Sequence, residues 1–298
     1  AKRLNMTKSN GHVRIVEVGP RDGLQSISDI ILLQDKIKYI NLLTESCLPE
    51  IEVTSFVSPK WVPQLADAID VSRHINKNNH TRYTALVPNN IGLENAIKSE
   101  YKSIALFTAA SETFSMKNIH CSIEDSFKRF NDMAPLWGNL HVRGYISTVW
   151  HCPFEGEINA KSVIPVIEKY IDLGIQDISL GDTIGKATAD ETEKLLTLLL
   201  SRWDASLFSL HCHDTYDFAS KNIRKGIEMG IRSFDSSAGG IGGCPYAPGA
   251  SGNISTEKLI DICETSNLST GINRDKLKQA GQFIQSILEK DMVHHAKN

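Results

Sequence analysis

The amino-acid sequence predicts a (β/α)8 TIM barrel followed by additional C-terminal helices. Short apolar, β-branched runs alternate with stretches of helical periodicity along the 298 residues. Eight such strand–helix units fit a barrel, which typically takes about 250 residues. A doubly wound open sheet is the alternative. Because no linker-like segment divides the chain, we expect one domain over residues 1–298, with the barrel over about 13–254 and a helical extension over about 255–298.

The predicted elements alternate in order along the chain. Strands are expected at residues 13–18, 51–54, 83–87, 103–107, 142–147, 177–180, 207–211 and 233–235. Helices are expected at residues 33–46, 63–76, 93–98, 122–133, 161–173, 191–203 and 218–229, with a final pair at 255–264 and 274–290.

Composition excludes several classes of function. The net charge of −3 gives no basic surface for nucleic acid, and no apolar run approaches the roughly 20 residues that span a bilayer. Six cysteines without CxxC pairs indicate free thiols in a reducing compartment.

A barrel places catalytic groups at the carboxyl ends of its strands. The first strand runs into GPRDGLQ, where Arg21 and Asp22 lie in a turn too tight for a solvated surface pair. An ordinary β-turn with Asp as its capping group is the alternative. The sixth strand runs into SLGDTIG, where Asp182 could cap the next helix, although Gly185 and Thr188 indicate that this helix begins later.

The second strand carries a carboxylate that alternation turns into the barrel. In EIEVTSF, Glu50, Glu52 and Thr54 share one face of the strand. A carboxylate inside a barrel needs a partner or a function, because an unpaired buried charge is costly. We expect Glu52 either to pair structurally with Arg21 or to take part in catalysis.

The seventh strand gives the strongest local signal, LHCHDTY. His211 and His213 are two residues apart, so both rings face one side, as a pair of metal ligands would. Asp22 and the amide oxygen of Asn253 would complete a mixed nitrogen and oxygen set, because strands seven, eight and one are neighbours in a closed barrel. That set suits octahedral Mg²⁺ or Mn²⁺ better than tetrahedral zinc.

A glycine-rich segment, SSAGGIGGCPYAPGASGN at residues 236–253, follows the eighth strand. A surface linker is the alternative, but linkers rarely contain Cys, Ile and Tyr among their glycines. We therefore predict a catalytic lid with Cys244 near its tip and Asn253 at its base. Mobility is expected over 239–248 without substrate, with order at Asn253 when metal is bound.

These motifs resemble the 3-hydroxy-3-methylglutaryl-CoA lyase family. The resemblance covers about residues 13–290 and is carried by VEVGPRDGLQ, EVTSFVSPKWVPQ, SLGDTIG, HCHDTY and GGCPYAPGASGN. It implies divalent-cation-dependent cleavage of 3-hydroxy-3-methylglutaryl-CoA to acetyl-CoA and acetoacetate, a step of leucine degradation and ketone-body formation. It also implies a homodimer acting on an acyl-CoA, and we expect it in a bacterial cytoplasm rather than a mitochondrial matrix.

The resemblance also assigns residues to roles. The metal ligands would be Asp22, His211, His213 and Asn253. The matching catalytic positions are Arg21, Asp22, Glu52, Asp182, His211, His213, Cys244 and Glu257; Arg21, Gln25 and Ser55 fall in substrate-binding motifs, and Arg143 matches a supporting arginine.

Other functions remain as alternatives from the sequence. A relative could cleave a longer branched substrate such as isohexenylglutaryl-CoA. A Claisen-condensing acyltransferase of the same superfamily is a second alternative, and a metal barrel without activity is a third. The third is disfavoured because every catalytic position holds a competent group.

Overall fold

The computed structural model describes residues 11–242 and 252–295, with side chains up to residue 289. Within these residues, eight parallel strands close into a barrel in the order β1–β8–β7–β6–β5–β4–β3–β2, which confirms the predicted fold class. The barrel strands are β1 Arg14–Glu17, β2 Glu50–Ser55, β3 Arg82–Leu86, β4 Ser103–Ala109, β5 His141–Ser147, β6 Ile178–Asp182, β7 Phe208–Cys212 and β8 Ser233–Ser236.

Helices cover the outside of this barrel. They are α1 Leu33–Glu45, α2 Ala68–His74, α3 Asn90–Lys98, α4 Glu112–Ile119, α5 Ile123–Trp137, α6 Ala160–Asp172, α7 Ala189–Leu200, α8 Ala219–Glu228, α9 Thr256–Thr265 and α10 Arg274–His295. The last of them packs against α1 and against the turn Ala238–Gly240 at the end of β8. The apolar core is continuous between the strands and the helices.

The helices predicted from the sequence do not include α4, and the one predicted at α2 is too long. Helix α4 begins after Ser111, whose side chain accepts a hydrogen bond from the backbone of Phe114. Its sequence, ETFSMKNI, is short and buries few side chains, so the helical periodicity of its apolar residues is weak. The predicted helix over 63–76 is instead a 3₁₀ turn, Pro63–Leu65, followed by α2.

One irregularity lies in β2 and changes which side chains face the barrel. Its pairing with β3 shifts register between Glu52 and Thr54, as in a β-bulge. Strict alternation puts Ser55 on the face opposite Glu52, yet Ser55 lines the interior cavity. The bulge therefore turns Ser55, like Glu52, toward the interior of the barrel.

No helix among the described residues is both long and apolar enough to cross a membrane.

Candidate active site

A cavity of about 670 Å³ opens at the carboxyl ends of the barrel strands. This volume lies within the usual range for small-molecule sites. Six residues expected at the site line it: Arg21, Asp22, Gln25, Ser55, His211 and His213. The cavity is therefore at the end of the barrel where enzymes of this fold carry their active sites.

The turn after β1 presents two of these residues. It is a five-residue π-helical turn, Gly19–Gly23, in which the carbonyl of Val18 accepts backbone hydrogen bonds from Arg21, Asp22 and Gly23. This turn differs from the β-turn alternative. It directs Arg21 inward and leaves Asp22 partly accessible from the cavity.

Arg21 is held by carboxylates on two sides. Its Nε donates to Oε1 of Glu52, and its Nη1 donates to Oδ1 of Asp22 at 2.7 Å. The other oxygen of Glu52 accepts a hydrogen bond from the hydroxyl of Tyr145 at 2.6 Å. Glu52 therefore lies fully buried inside the barrel with partners for both oxygens, as alternation along β2 predicts.

His211, His213 and Asp22 converge at the same place. The Nε2 atoms of the two imidazoles are 3.2 Å apart, and Oδ2 of Asp22 is 3.7 Å from Nε2 of His211. One ligand atom from each residue lies within 4.8 Å of the others. Two imidazole nitrogens and a carboxylate oxygen directed at a common point fit a divalent cation.

Asn253 adjoins this group because the chain pairs alongside the end of β7. Asn253 forms an isolated antiparallel bridge with His213, flanked by the bond from Ile254 N to the carbonyl of Cys212. Its Nδ2 donates to Oδ2 of Asp22 at 2.7 Å. The amide therefore lies beside the three ligand candidates, with its nitrogen toward Asp22; coordination through oxygen would turn the amide over.

Electrostatics keep the carboxylate charged and one imidazole neutral. Burial alone would raise the pKa of Asp22, but Arg21 and both imidazoles outweigh it and hold that pKa well below its usual range. Burial and the neighbouring His211 lower the pKa of His213 to about 4. Burial also acts to lower the pKa of His211, yet the hydrogen bond that its ring donates to Asp235 and the charge of Asp22 raise it.

Besides Glu52, two more of the predicted catalytic residues, Asp182 and Glu257, lie outside the cavity lining. The Asp182 carboxylate accepts hydrogen bonds from the backbone of Lys186 and Ala187, both at 3.1 Å, and burial raises its pKa to about 7. It does not cap α7, whose N-cap is Thr188. Glu257 accepts from the backbone of Gly239 through both oxygens at 3.1 Å. Each carboxylate holds backbone N–H groups of a loop at the barrel rim.

Cys244 lies outside the described residues, as does most of the segment expected to be mobile. What precedes it is described as far as Gly242, where the backbone has a φ of +104°. A Cβ atom there would lie 2.8 Å from Cα of Gly23 and 2.9 Å from Nδ2 of Asn253. Glycine at this position therefore lets the chain pass between the turn after β1 and Asn253.

Sequence reasoning missed two residues at the site, Tyr145 and Asp235. Tyr145 lines the cavity, and its ring meets that of His211 edge to face with centroids 6.1 Å apart. Asp235 accepts hydrogen bonds from Arg143 and Ser179 and contacts His211. Both could have been found, because a polar residue on an otherwise apolar barrel strand is the same signal that identified Glu52.

Comparisons with known proteins agree with this geometry. A family model described as HMGL-like matches residues 12–284. The chain is 46% identical over 280 residues to the mitochondrial hydroxymethylglutaryl-CoA lyase of Macaca fascicularis, covering 93% of this chain and 86% of that protein. The crystal structure of HMG-CoA lyase from Brucella melitensis matches with a TM-score of 0.91 and 43% identity, covering 93% of this chain and 99% of the other.

A second similar structure contains ligands. It is an HMG-CoA lyase from Acinetobacter baumannii in complex with coenzyme A and 3-methylmalate. It matches with a TM-score of 0.90 and 35% identity over 95% of this chain and 93% of the other.

Proposed function

Because this chain belongs to the HMGL-like family, we propose that its barrel cavity is the place where 3-hydroxy-3-methylglutaryl-CoA is cleaved to acetyl-CoA and acetoacetate. The relatives named as hydroxymethylglutaryl-CoA lyases align over nearly the whole chain, so the chain is a carbon–carbon lyase. Their names support the methylglutaryl substrate rather than a longer branched one. The observation that carries the proposed site is the convergence of Asp22, His211 and His213 beside Arg21 in the cavity.

The reaction is a retro-Claisen cleavage. The C3 hydroxyl loses its proton, and its oxygen electrons form the ketone of acetoacetate. The bond between C2 and C3 breaks, and its electron pair moves onto the thioester as an enolate. A proton then returns to C2, which gives acetyl-CoA without consuming water.

We assign the ligands of a divalent cation to Asp22, His211, His213 and Asn253. A cation bound there would supply a Lewis acid that lowers the pKa of the substrate hydroxyl. In this proposal one imidazole, that of His211 or His213, takes up the hydroxyl proton, and it does so through a ring nitrogen that carries no proton and is not bound to the cation at that step. The mixed donors suit either Mg²⁺ or Mn²⁺.

We assign stabilisation of the enolate to Arg21. Nε and Nη1 already donate to Glu52 and Asp22, whereas Nη2 donates no hydrogen bond to another described residue. Two fixed bonds hold the guanidinium plane, so Nη2 can donate to the thioester oxygen as negative charge develops there. A preorganised donor of this kind contributes about 3 kcal/mol to transition-state stabilisation.

The final proton has a separate source in this proposal. Cys244, in the glycine-rich segment, would donate it to C2 of the departing enolate. Asp182 and Glu257 would act as positioning residues, because their carboxylates hold backbone N–H groups next to the cavity rather than reaching into it. Gln25 and Ser55 line the cavity and would contact the substrate.

The acyl-CoA would enter across a rim that carries positive charge. Lys117 and Arg129 line the cavity along with the apolar side chains of Phe107 and Leu86. Cations at the mouth favour the phosphates of coenzyme A, and an apolar wall favours the methyl group at C3.

Assembly and location are also proposals. We propose that the protein forms a homodimer. Light scattering of the purified protein would test this by measuring its molar mass in solution. We propose a bacterial cytoplasm as its location and a place in leucine breakdown, which fractionation of the source cells and growth of a deletion strain on leucine would test.

Acetoacetate release tests the proposed function most simply. Purified protein with Mg²⁺ should convert 3-hydroxy-3-methylglutaryl-CoA to equal amounts of acetyl-CoA and acetoacetate, measured by chromatography. Addition of acetyl-CoA and a 2-oxo acid in its place would test for condensation. Condensed product without cleavage would contradict the lyase function.

A further inference from the structure

Asp235 contacts a proposed metal ligand, His211, on the side of the ring away from the other candidate ligands. It lies in β8, the strand between β7 and β1, and its side chain is fully buried. Its Oδ2 is 3.0 Å from Nδ1 of His211. Because Nε2 of that imidazole faces His213, the two ring nitrogens of His211 have separate partners.

The two oxygens of Asp235 have different hydrogen-bond partners. Oδ1 accepts from Nη2 of Arg143 at 2.6 Å, and Oδ2 accepts from Oγ of Ser179 at 2.7 Å as well as facing the imidazole. Two donors from β5 and β6 thus fix the plane of the carboxylate. A fixed carboxylate offers only an acceptor to Nδ1 of His211.

We propose that Asp235 is a positioning residue that keeps the proton of His211 on Nδ1, so that Nε2 presents its lone pair to the divalent cation. The inference rests on the proposed function, because it assumes that His211 ligates a metal. With both ring nitrogens of His211 engaged in this way, the hydroxyl proton would pass to His213 rather than to His211. A carboxylate behind a ligating histidine sets the tautomer and orientation of the ring and makes it a better ligand.

A purely structural role would be to neutralise Arg143. That arginine has a second carboxylate near it, however, since Oδ1 of Asp177 lies 3.5 Å from its Nε. Asp177 also binds Arg14 and His141 at the opposite end of the barrel. Asp177 and Asp235 therefore both balance the charge of Arg143, whereas of these two carboxylates Asp235 is the one that contacts His211.

Asp177 provides a matched control. Asp235→Asn and Asp177→Asn each remove one negative charge beside Arg143 and leave a near-isosteric side chain. In Asp235→Asn the amide can donate to Nδ1, which would move the ring proton to Nε2, the ligand atom. Titration of the two metal-free variants and the wild type with Mn²⁺, followed by electron paramagnetic resonance, measures the affinity of each folded protein.

We expect Asp235→Asn to bind Mn²⁺ about 10- to 100-fold more weakly than wild type, and Asp177→Asn to bind within about threefold of it. Equal affinities in both variants, with wild-type binding intact, would overturn the role of Asp235 alone. If the wild type binds no Mn²⁺, the proposed metal site fails together with this inference.

If Asp235→Asn does not fold, a measurement on the wild-type protein can still test the proposal. Nitrogen-15 spectra of histidine-labelled, Mg²⁺-loaded protein report which ring nitrogen carries the proton. The His211 resonance should show a protonated Nδ1 and an unprotonated Nε2. A proton on Nε2 of His211 would overturn the proposal.

Discussion

The hydroxyl of Tyr145 donates a 2.6 Å hydrogen bond to Oε2 of Glu52, whose Oε1 accepts from Nε of Arg21. The same guanidinium reaches Asp22, a proposed metal ligand. A buried chain of contacts therefore runs from β5 through β2 to the turn after β1. It fixes the arginine that would stabilise the enolate.

The first prediction concerns Tyr145→Phe. Loss of the hydroxyl leaves Oε2 of Glu52 short of a donor and lets the carboxylate and Arg21 shift. We expect kcat/KM for acetoacetate release to fall about 10-fold, with the unfolding free energy lower by about 1 kcal/mol. Tyr170→Phe is the control, because its buried hydroxyl donates to the backbone of Tyr145 at 3.0 Å outside the cavity lining. An equal loss of activity in both variants would show that Glu52 does not need this bond.

The second prediction is a pH dependence of stability set by Glu17. Burial raises the pKa of this carboxyl to about 7, above the ordinary value of 4.5, despite hydrogen bonds from Thr256, Ala238 and Gly19. The folded state therefore holds a proton that the unfolded state loses, so this contribution is present below pH 4.5 and lost as pH rises to about 7.

Glu17→Gln removes that titration and keeps the shape of the side chain. Denaturant unfolding should show that the wild type loses stability between pH 5 and pH 7.5. In the variant that loss should be smaller by on the order of 2 kcal/mol, at about 1.36 kcal/mol per pKa unit, because pH 5 already lies above the ordinary pKa of 4.5. Unchanged pH dependence would mean that Glu17 is ionised in the folded protein.

The third prediction concerns Gly242→Ala. The new methyl group would press on Gly23 and on the amide of Asn253, and the φ of +104° strains any residue other than glycine. We expect Mn²⁺ affinity to fall about 10-fold as Asn253 is displaced. Gly174→Ala is the control, since it has a positive φ of +79° but nothing within 4 Å of its Cβ position. Similar Mn²⁺ affinity in both variants would argue against a packing role for Gly242.

The fourth prediction concerns the proposed proton donor. Cys244→Ser replaces a thiol with a much weaker acid, so turnover should fall about 10²- to 10⁴-fold while Mn²⁺ affinity stays unchanged. Cys47→Ser, at an exposed cysteine, should keep full activity and controls for the loss of a thiol. Near-normal turnover of Cys244→Ser would remove this cysteine from the mechanism.

Much of the fold and part of the site could be predicted from the sequence. The barrel follows from eight alternating units, and the rule that strand ends carry function identified Arg21, Asp22 and the two histidines. The motif resemblance to hydroxymethylglutaryl-CoA lyases is confirmed by the family model and by relatives aligned over most of the chain.

The remainder depends on packing that periodicity does not encode. The bulge in β2 that brings Ser55 to the cavity arises from pairing with β3. The orientation of the Asp182 carboxylate depends on the path of residues 186–187, where backbone N–H groups turn toward it. Asp235 is a single carboxylate in a short strand, and its contact with His211 appears only once β7 and β8 are neighbours.

The central claim is that Asp22, His211 and His213 hold the divalent cation on which cleavage depends. The most direct test is acetoacetate release by protein stripped with a chelator and then titrated with Mg²⁺, with Asp22→Asn measured alongside. We predict that the stripped wild type loses activity and regains it with Mg²⁺, whereas Asp22→Asn stays at least about 100-fold less active at every concentration. Full activity of the stripped protein, or full recovery by Asp22→Asn, would contradict the account.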